Sequence, residues 1–201
     1  MDFSEIKGNL EKLGYKVSTF ANKEEAMDYI DREVDGTTVG IGGSMTAHEI
    51  GLYERLITHN EVLWHHRPQE GKSADEIRAE AGNTEIYFSS ANAIAKTGEI
   101  VNIDGCGNRI AETCYGHKKV YYIIGRNKIT EDLDSAIYRA RNIASPLNCK
   151  RFNLKNPCSQ GEMKCHDCKS QTRICRIMSI HFMKPTSQEY EIILIDEDLG
   201  Y

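Results

Sequence analysis

Short apolar runs rich in Val, Ile and Tyr alternate along this chain with segments whose apolar residues recur every three or four positions. That alternation restricts the fold more than any other feature of the sequence. Phe3, Ile6, Leu10 and Leu13 mark an opening amphipathic helix, closed by Gly14 before an extended segment over 15–20. Asn22 with Glu25 caps a second helix, whose Ala26, Met27, Ile30 and Val34 share a face. Residues 37–41 read as a strand, and Thr46 with Glu49 as a capping box for the helix that follows. An extended 62–64, a helix from Ser73 with Glu76 and a strand over 86–88 continue the series. A glycine turn within 95–99, ahead of 100–103, predicts a hairpin, and 120–124 is the most strand-like run of all. Thr130 then caps a helix carrying Leu133, Ile137, Ala140 and Ala144 on one side, which Pro146 is expected to end. The expectation is an α/β fold: a mainly parallel sheet flanked by helices, with an antiparallel hairpin added.

After Pro146 the periodic pattern stops. Residues 147–176 hold five of the seven cysteines and read as a small Cys-rich metal-binding appendage to a domain over 1–146. Residues 177–183 and 190–195 read as two closing strands paired with each other, within a 177–201 segment packed on the main domain or on the appendage. The apolar runs are far too short to cross a bilayer, and the N-terminal segment has Asp2, Glu5 and Glu11 where a secretory signal would be apolar. The expectation is a cytoplasmic protein that does not engage a membrane.

Within the appendage, Cys158, Cys165, Cys168 and Cys175 follow a C-x6-C-x2-C-x6-C spacing, compact enough for four thiolates to reach one centre. An odd cysteine count with four so close argues for reduced thiols holding a metal rather than for a disulfide framework. Zinc and a [4Fe–4S] cluster both accept four cysteines. Structural zinc usually takes two short pairs, whereas the wide outer gaps here favour the cluster, with zinc as the alternative. Cys149 is a spare ligand, while Cys106 and Cys114 read as small buried hydrophobes. From Cys149 to Arg176 there are seven Lys and Arg against Glu162 and Asp167, a local charge of 7 − 2 = +5 in a chain whose net charge is −5. That patch suits an anionic thiolate centre or an acidic redox partner, and the overall charge disfavours a nucleic-acid binder.

In an open α/β sheet, ligands bind beyond the carboxyl ends of the strands. Four segments have that placement: Gly40 to Thr46, Ser89 to Ile94, Asp104 to Arg109, and Gly125 to Ile129. Small residues at Gly42, Gly43, Ser44, Gly105 and Gly107 let the backbone approach an anion, and Arg109 and Lys128 supply a bidentate clamp and a point charge. Asn92, Asn108 and Asn127 complete the polar set. For acid/base chemistry the candidates are Glu49 and Asp104, with Glu49 accounted for first as the partner of Thr46. His48 and the pair His65-His66 read as surface or hydrogen-bonded structural residues.

These four loops, in this order, closely resemble those of the lactate-utilisation (LUD) domain family over residues 37–130. The resemblance implies a fold like that of the ribose-5-phosphate isomerase, glucosamine-6-phosphate deaminase and CoA-transferase superfamily. No counterpart of the CoA-transferase glutamate is recognisable. It also implies a subunit of an L-lactate-oxidising oxidoreductase system, working in electron transfer beside an iron–sulfur or other redox partner protein. Without a flavin or dinucleotide fingerprint, an autonomous dehydrogenase is not expected. One further reading stays open on the residues, a non-catalytic binding or regulatory protein with a structural zinc site; the superfamily resemblance alone implies another, a CoA- or folate-type transferase.

Overall fold

The computed structural model describes residues 1–201 and resolves the alternation into eighteen strands and helices, numbered here in chain order. The first half runs α1 (Ser4–Lys12), β1 (Lys16–Phe20), α2 (Lys23–Glu33), β2 (Thr38–Ile41), α3 (Met45–Glu49), α4 (Leu52–Leu56), β3 (Glu61–Leu63), α5 (Ala74–Ala81) and β4 (Ile86–Ser89). There follow β5 (Ala93–Ala95), β6 (Ile100–Asp104), α6 (Asn108–Cys114), β7 (Lys119–Gly125), β8 (Ile129–Thr130), α7 (Leu133–Arg139), α8 (Ser145–Arg151), β9 (Ile177–His181) and β10 (Glu189–Ile195).

Six strands form a wholly parallel sheet in the order β1-β10-β7-β4-β2-β3. Its two central strands are apolar without a break because both faces of the sheet are covered. Alternate residues of a strand point to opposite faces, so β7 sends Val120, Tyr122 and Ile124 into one core with Leu10, Val17 and Ile192. Tyr121 and Ile123 go to the other, with Met27, Ile30, Val39, Ile193 and Ile195. Each fully buried aliphatic side chain contributes about 1.5–3 kcal/mol, so these two layers hold the sheet in register. Two helix starts fall where the sequence puts them. Asn22 accepts the Glu25 N–H at 2.8 Å, and Ser73 with Glu76 forms a complete capping box.

The hairpin expected from the glycine turn is β5 with β6, and it belongs to a second sheet ordered β8-β5-β6-β9. Ala93, Ala95, Val101 and Ile103 of this sheet pack on Ala136 and Ala140. The two closing strands do not pair with each other. β9 lies antiparallel to β6, while β10 inserts between β1 and β7, where its apolar run over 192–195 is buried on both faces.

Three local assignments change as well. Ser44, not Thr46, caps α3, accepting the Ala47 N–H at 3.1 Å, and Asp132, not Thr130, caps α7 through Ser135. Pro146 does not end the helix either: a π-helical turn over Ala140–Ala144 leads directly into α8, with Pro146 in its first turn, where a missing N–H costs little. The Ser145 hydroxyl takes up the Ala140 carbonyl at 2.8 Å across this junction. No helix is long and apolar enough to cross a membrane.

Candidate functional site

Because the six strands are parallel, their carboxyl ends lie along one edge, and the loops after β2, β4 and β7 meet there. Gly42 follows β2. A Cβ at this position would stand 2.9 Å from Cγ of Arg109 and 3.0 Å from the Tyr87 hydroxyl, so glycine is what allows the Arg109 side chain to cross the loop. Gly43 and Ser44 then line a pocket with Ser90 and Asn92 after β4, Arg109 from α6 and Lys128 after β7. Asn148 and Arg151 of α8 and Tyr201 close it.

Arg139 braces these loops from behind. It is buried on α7, and its guanidinium donates to the carbonyls of Asn127, at 2.8 Å, and Asn92. Lys128 is only 2% exposed, yet no carboxylate pairs with it. Its amine donates to the Thr46 hydroxyl at 2.7 Å and the Ser90 hydroxyl at 2.8 Å. Burial first, then the Arg139 and Arg109 guanidinium groups, push its pKa down to about 7, against a weaker opposing pull from Glu49.

A larger cleft of about 520 Å³ adjoins this pocket and shares Gly43, Arg109, Asn148 and Arg151 with it. His65, His66, Arg78, Asp104, Gly105 and Asn108 supply its polar wall, and Phe152, Leu154 and Ile174 its apolar one. Burial holds both imidazoles down at about 4. Beyond burial, His66 and Arg78 lower His65, and Arg151 and Arg78 lower His66, so both rings are neutral near pH 7. Asp104 is buried and accepts the backbone N–H groups of Gly105 and Arg109 at 2.8 and 2.9 Å, with the Arg109 guanidinium 3.6 Å away. Another cleft, of about 540 Å³ around Thr37, His59 and Glu85, sits at the opposite, amino ends of β2 and β3.

The structure therefore brings Gly43, Ser44, Asn92, Arg109 and Lys128 to one pocket and Asp104, Gly105 and Asn108 to the cleft beside it. Gly42, Gly107, Asn127 and Glu49 line neither. Gly107 starts α6 in the left-handed region, with φ +91°. Asn127 spends its amide on residues 199 and 200, and Glu49 accepts the Gly200 N–H at 2.7 Å. Sequence reading missed Asn148, Arg151 and Tyr201. The first two follow Pro146, where the helix was expected to have ended, and nothing local marks Tyr201 as returning to the strand ends.

The appendage is organised by Asn156, which is buried and hydrogen-bonded to Ser170, Thr172 and, at 3.3 Å, the Cys149 sulfur. All seven cysteines are free thiols. Burial and the neighbouring thiols of Cys149, Cys168 and Cys175 push the Cys158 thiol up to about 12. Asp167 takes a left-handed φ of 45°, and its N–H points at the Cys165 sulfur at 3.4 Å, with the Arg141 guanidinium at 3.5 Å. No three Cys, His, Asp or Glu side chains anywhere in the chain are placed to hold one ion. By donor chemistry, Cys158, Cys165, Cys168 and Cys175 nonetheless suit a thiolate-ligated centre: soft sulfur ligands, N–H donors to a sulfur, and guanidinium groups of Arg141 and Arg173 alongside.

A six-stranded parallel sheet covered by helices, with a cationic pocket at its carboxyl edge, places the chain in the open-sheet α/β class. The LUD domain family matches residues 3–195, and the chain belongs to that family, which relates it to lactate utilisation. Among solved structures, a DUF162 family protein from Deinococcus radiodurans has the same fold, with a TM-score of 0.55 at 12% identity, over 97% of this chain and 99% of that one. No curated protein matches the sequence.

Proposed function

We propose that this chain is a redox-linked subunit of a lactate-utilisation system, binding a small organic or nucleotide-like anion at the strand-end pocket. The reading rests on one observation: Lys128, Arg109 and Arg151 converge on a pocket that no carboxylate lines. Permanent guanidinium charge is suited to a carboxylate or phosphate, and the neighbouring cleft has room and apolar surface for the rest of such a ligand. In this reading Cys158, Cys165, Cys168 and Cys175 hold a [4Fe–4S] cluster, which supplies one-electron transfer to an iron–sulfur or other redox partner. The chain's own part is to orient the anion between the guanidinium groups and to surround the thiolates with positive charge.

The test is purification without oxygen, with iron, acid-labile sulfide and zinc quantified beside the visible spectrum, and calorimetric titration with lactate, pyruvate and inorganic phosphate. Iron and sulfide with reducible absorbance, together with anion binding lost in Arg109→Gln, support the proposal. Stoichiometric zinc without colour refutes the redox part and leaves a non-catalytic binding protein with a structural zinc site. Absence of binding by any of the three anions refutes the pocket assignment.

A further inference from the structure

We infer that Lys128 is a nucleophilic amine that condenses reversibly with the carbonyl carbon of a small 2-oxo acid; the inference rests on the anion-pocket reading above. Two hydroxyl groups hold the amine. Thr46 Oγ1 donates its own hydrogen to the Leu199 carbonyl at 3.2 Å, and Ser90 Oγ donates to the Ile123 carbonyl at 2.6 Å. Each hydroxyl therefore has only lone pairs to offer Lys128, and each accepts one N–H from it. A neutral amine has two N–H groups, and both are used. Its lone pair occupies the remaining tetrahedral position, which has no protein partner, on a side chain that lines the pocket.

An ammonium group at the same place would carry a third N–H that no protein group accepts, on a side chain only 2% exposed. The charges around it point the same way. Arg139 and Arg109 repel a cation here, and Glu49, the one carboxylate that acts on it, is engaged by the Gly200 N–H. A lysine placed only to attract an anion needs none of this, because Arg109 and Arg151 already provide permanent charge in the same pocket. The arrangement is the one that makes a lysine a nucleophile: a desolvated amine beside other cations.

Size then selects the ligand. Lys128, Arg109 and Arg151 line one narrow pocket, so a single small molecule with a carboxylate for the guanidinium groups and an electrophilic carbonyl carbon close to it for the amine can engage all three. That describes a 2-oxo acid, whose further substituents extend into the larger cleft. In the reaction the amine lone pair forms a C–N bond to the carbonyl carbon, and the carbonyl oxygen becomes the hydroxyl of a carbinolamine. That oxygen leaves as water, with one hydrogen from the amine and one proton from solvent, giving a protonated imine; no oxidant or reductant takes part.

The full chain is incubated with pyruvate and cyanoborohydride near pH 7, digested and mapped by mass spectrometry, with oxalate as a competitor that has the carboxylates but no ketone. The exposed Lys118 serves as the internal reference. Lys128 is expected to be reductively labelled at least about tenfold faster than Lys118, oxalate to suppress that labelling, and Lys128→Arg to lose it while keeping the fold. Labelling of Lys128 no faster than Lys118, with pyruvate binding intact by calorimetry, overturns the inference and leaves the anion pocket standing. Failure of both pyruvate and oxalate to bind overturns the pocket reading and this inference with it.

Discussion

Replacing Lys128 by Met should stabilise the protein near neutral pH, by an amount that fades as the pH is raised. Lysine ordinarily titrates at 10.5, and burial beside Arg139 and Arg109 brings Lys128 to about 7 in the folded chain. The unfolded chain therefore binds a proton between those limits that the folded chain does not. A gap of about 3.5 pH units, at 1.36 kcal/mol each, costs the folded state about 4–5 kcal/mol at and below pH 7 and almost nothing above pH 10.5. Methionine removes that cost but also the hydrogen bonds to Thr46 and Ser90, each worth about 0.5–1.5 kcal/mol. The expected net gain is about 2–3 kcal/mol at pH 7, falling by up to 1.36 kcal/mol per pH unit and changing sign before pH 10. Urea denaturation of both proteins from pH 6 to pH 10 measures this, since every other titrating group is common to the two and cancels in the difference. A stability difference that stays flat across the range would refute a desolvated, unpaired Lys128.

Three other outcomes follow from the same geometry. Arg151→Gln removes a permanent charge from the pocket and should weaken anion affinity by about 10–100-fold in calorimetry, with little change in melting temperature, because the side chain is exposed. Gly40→Ala places a Cβ 2.7 Å from the Ala81 carbonyl and 2.8 Å from the Tyr87 ring, so denaturant titration should show a loss of about 1–3 kcal/mol. Glu191 is fully buried. Burial alone would raise its pKa, but hydrogen bonds from Lys119, Tyr29, Ser18 and Lys16 outweigh that and hold it below the usual carboxylate value. Its depressed pKa stabilises the fold above about pH 4.5 and ceases to do so as the pH falls through the folded value, so Glu191→Gln should cost about 3 kcal/mol at pH 7 and converge on the parent in acid.

How much of this was legible in the sequence can be judged element by element. The buried strands were readable because a parallel strand covered on both faces needs an unbroken apolar run, such as 120–124 in β7 and 192–195 in β10. The caps at Asn22 and Ser73 were readable because the hydrogen bond joins residues three apart. Thr46 misled because its hydroxyl has a distant partner: it turns inward to the Lys128 amine and the Leu199 carbonyl, and Ser44 takes the cap instead. Pro146 misled because a π-helical turn before it lets the chain continue, and that turn carries Asn148 and Arg151 to the pocket.

By itself the sequence determined the α/β class, the hairpin and the four strand-end loops with their family resemblance. All of these are local or periodic properties, written in residues close along the chain. Only the tertiary structure decided that β9 and β10 belong to different sheets, that Arg151 and Tyr201 join loops from residues 43–128, and that Lys128 meets hydroxyl groups rather than a carboxylate. Those outcomes depend on contacts between residues tens of positions apart. Burial removes water as a partner there, and the chemistry of a side chain is then set by whichever groups the fold places around it.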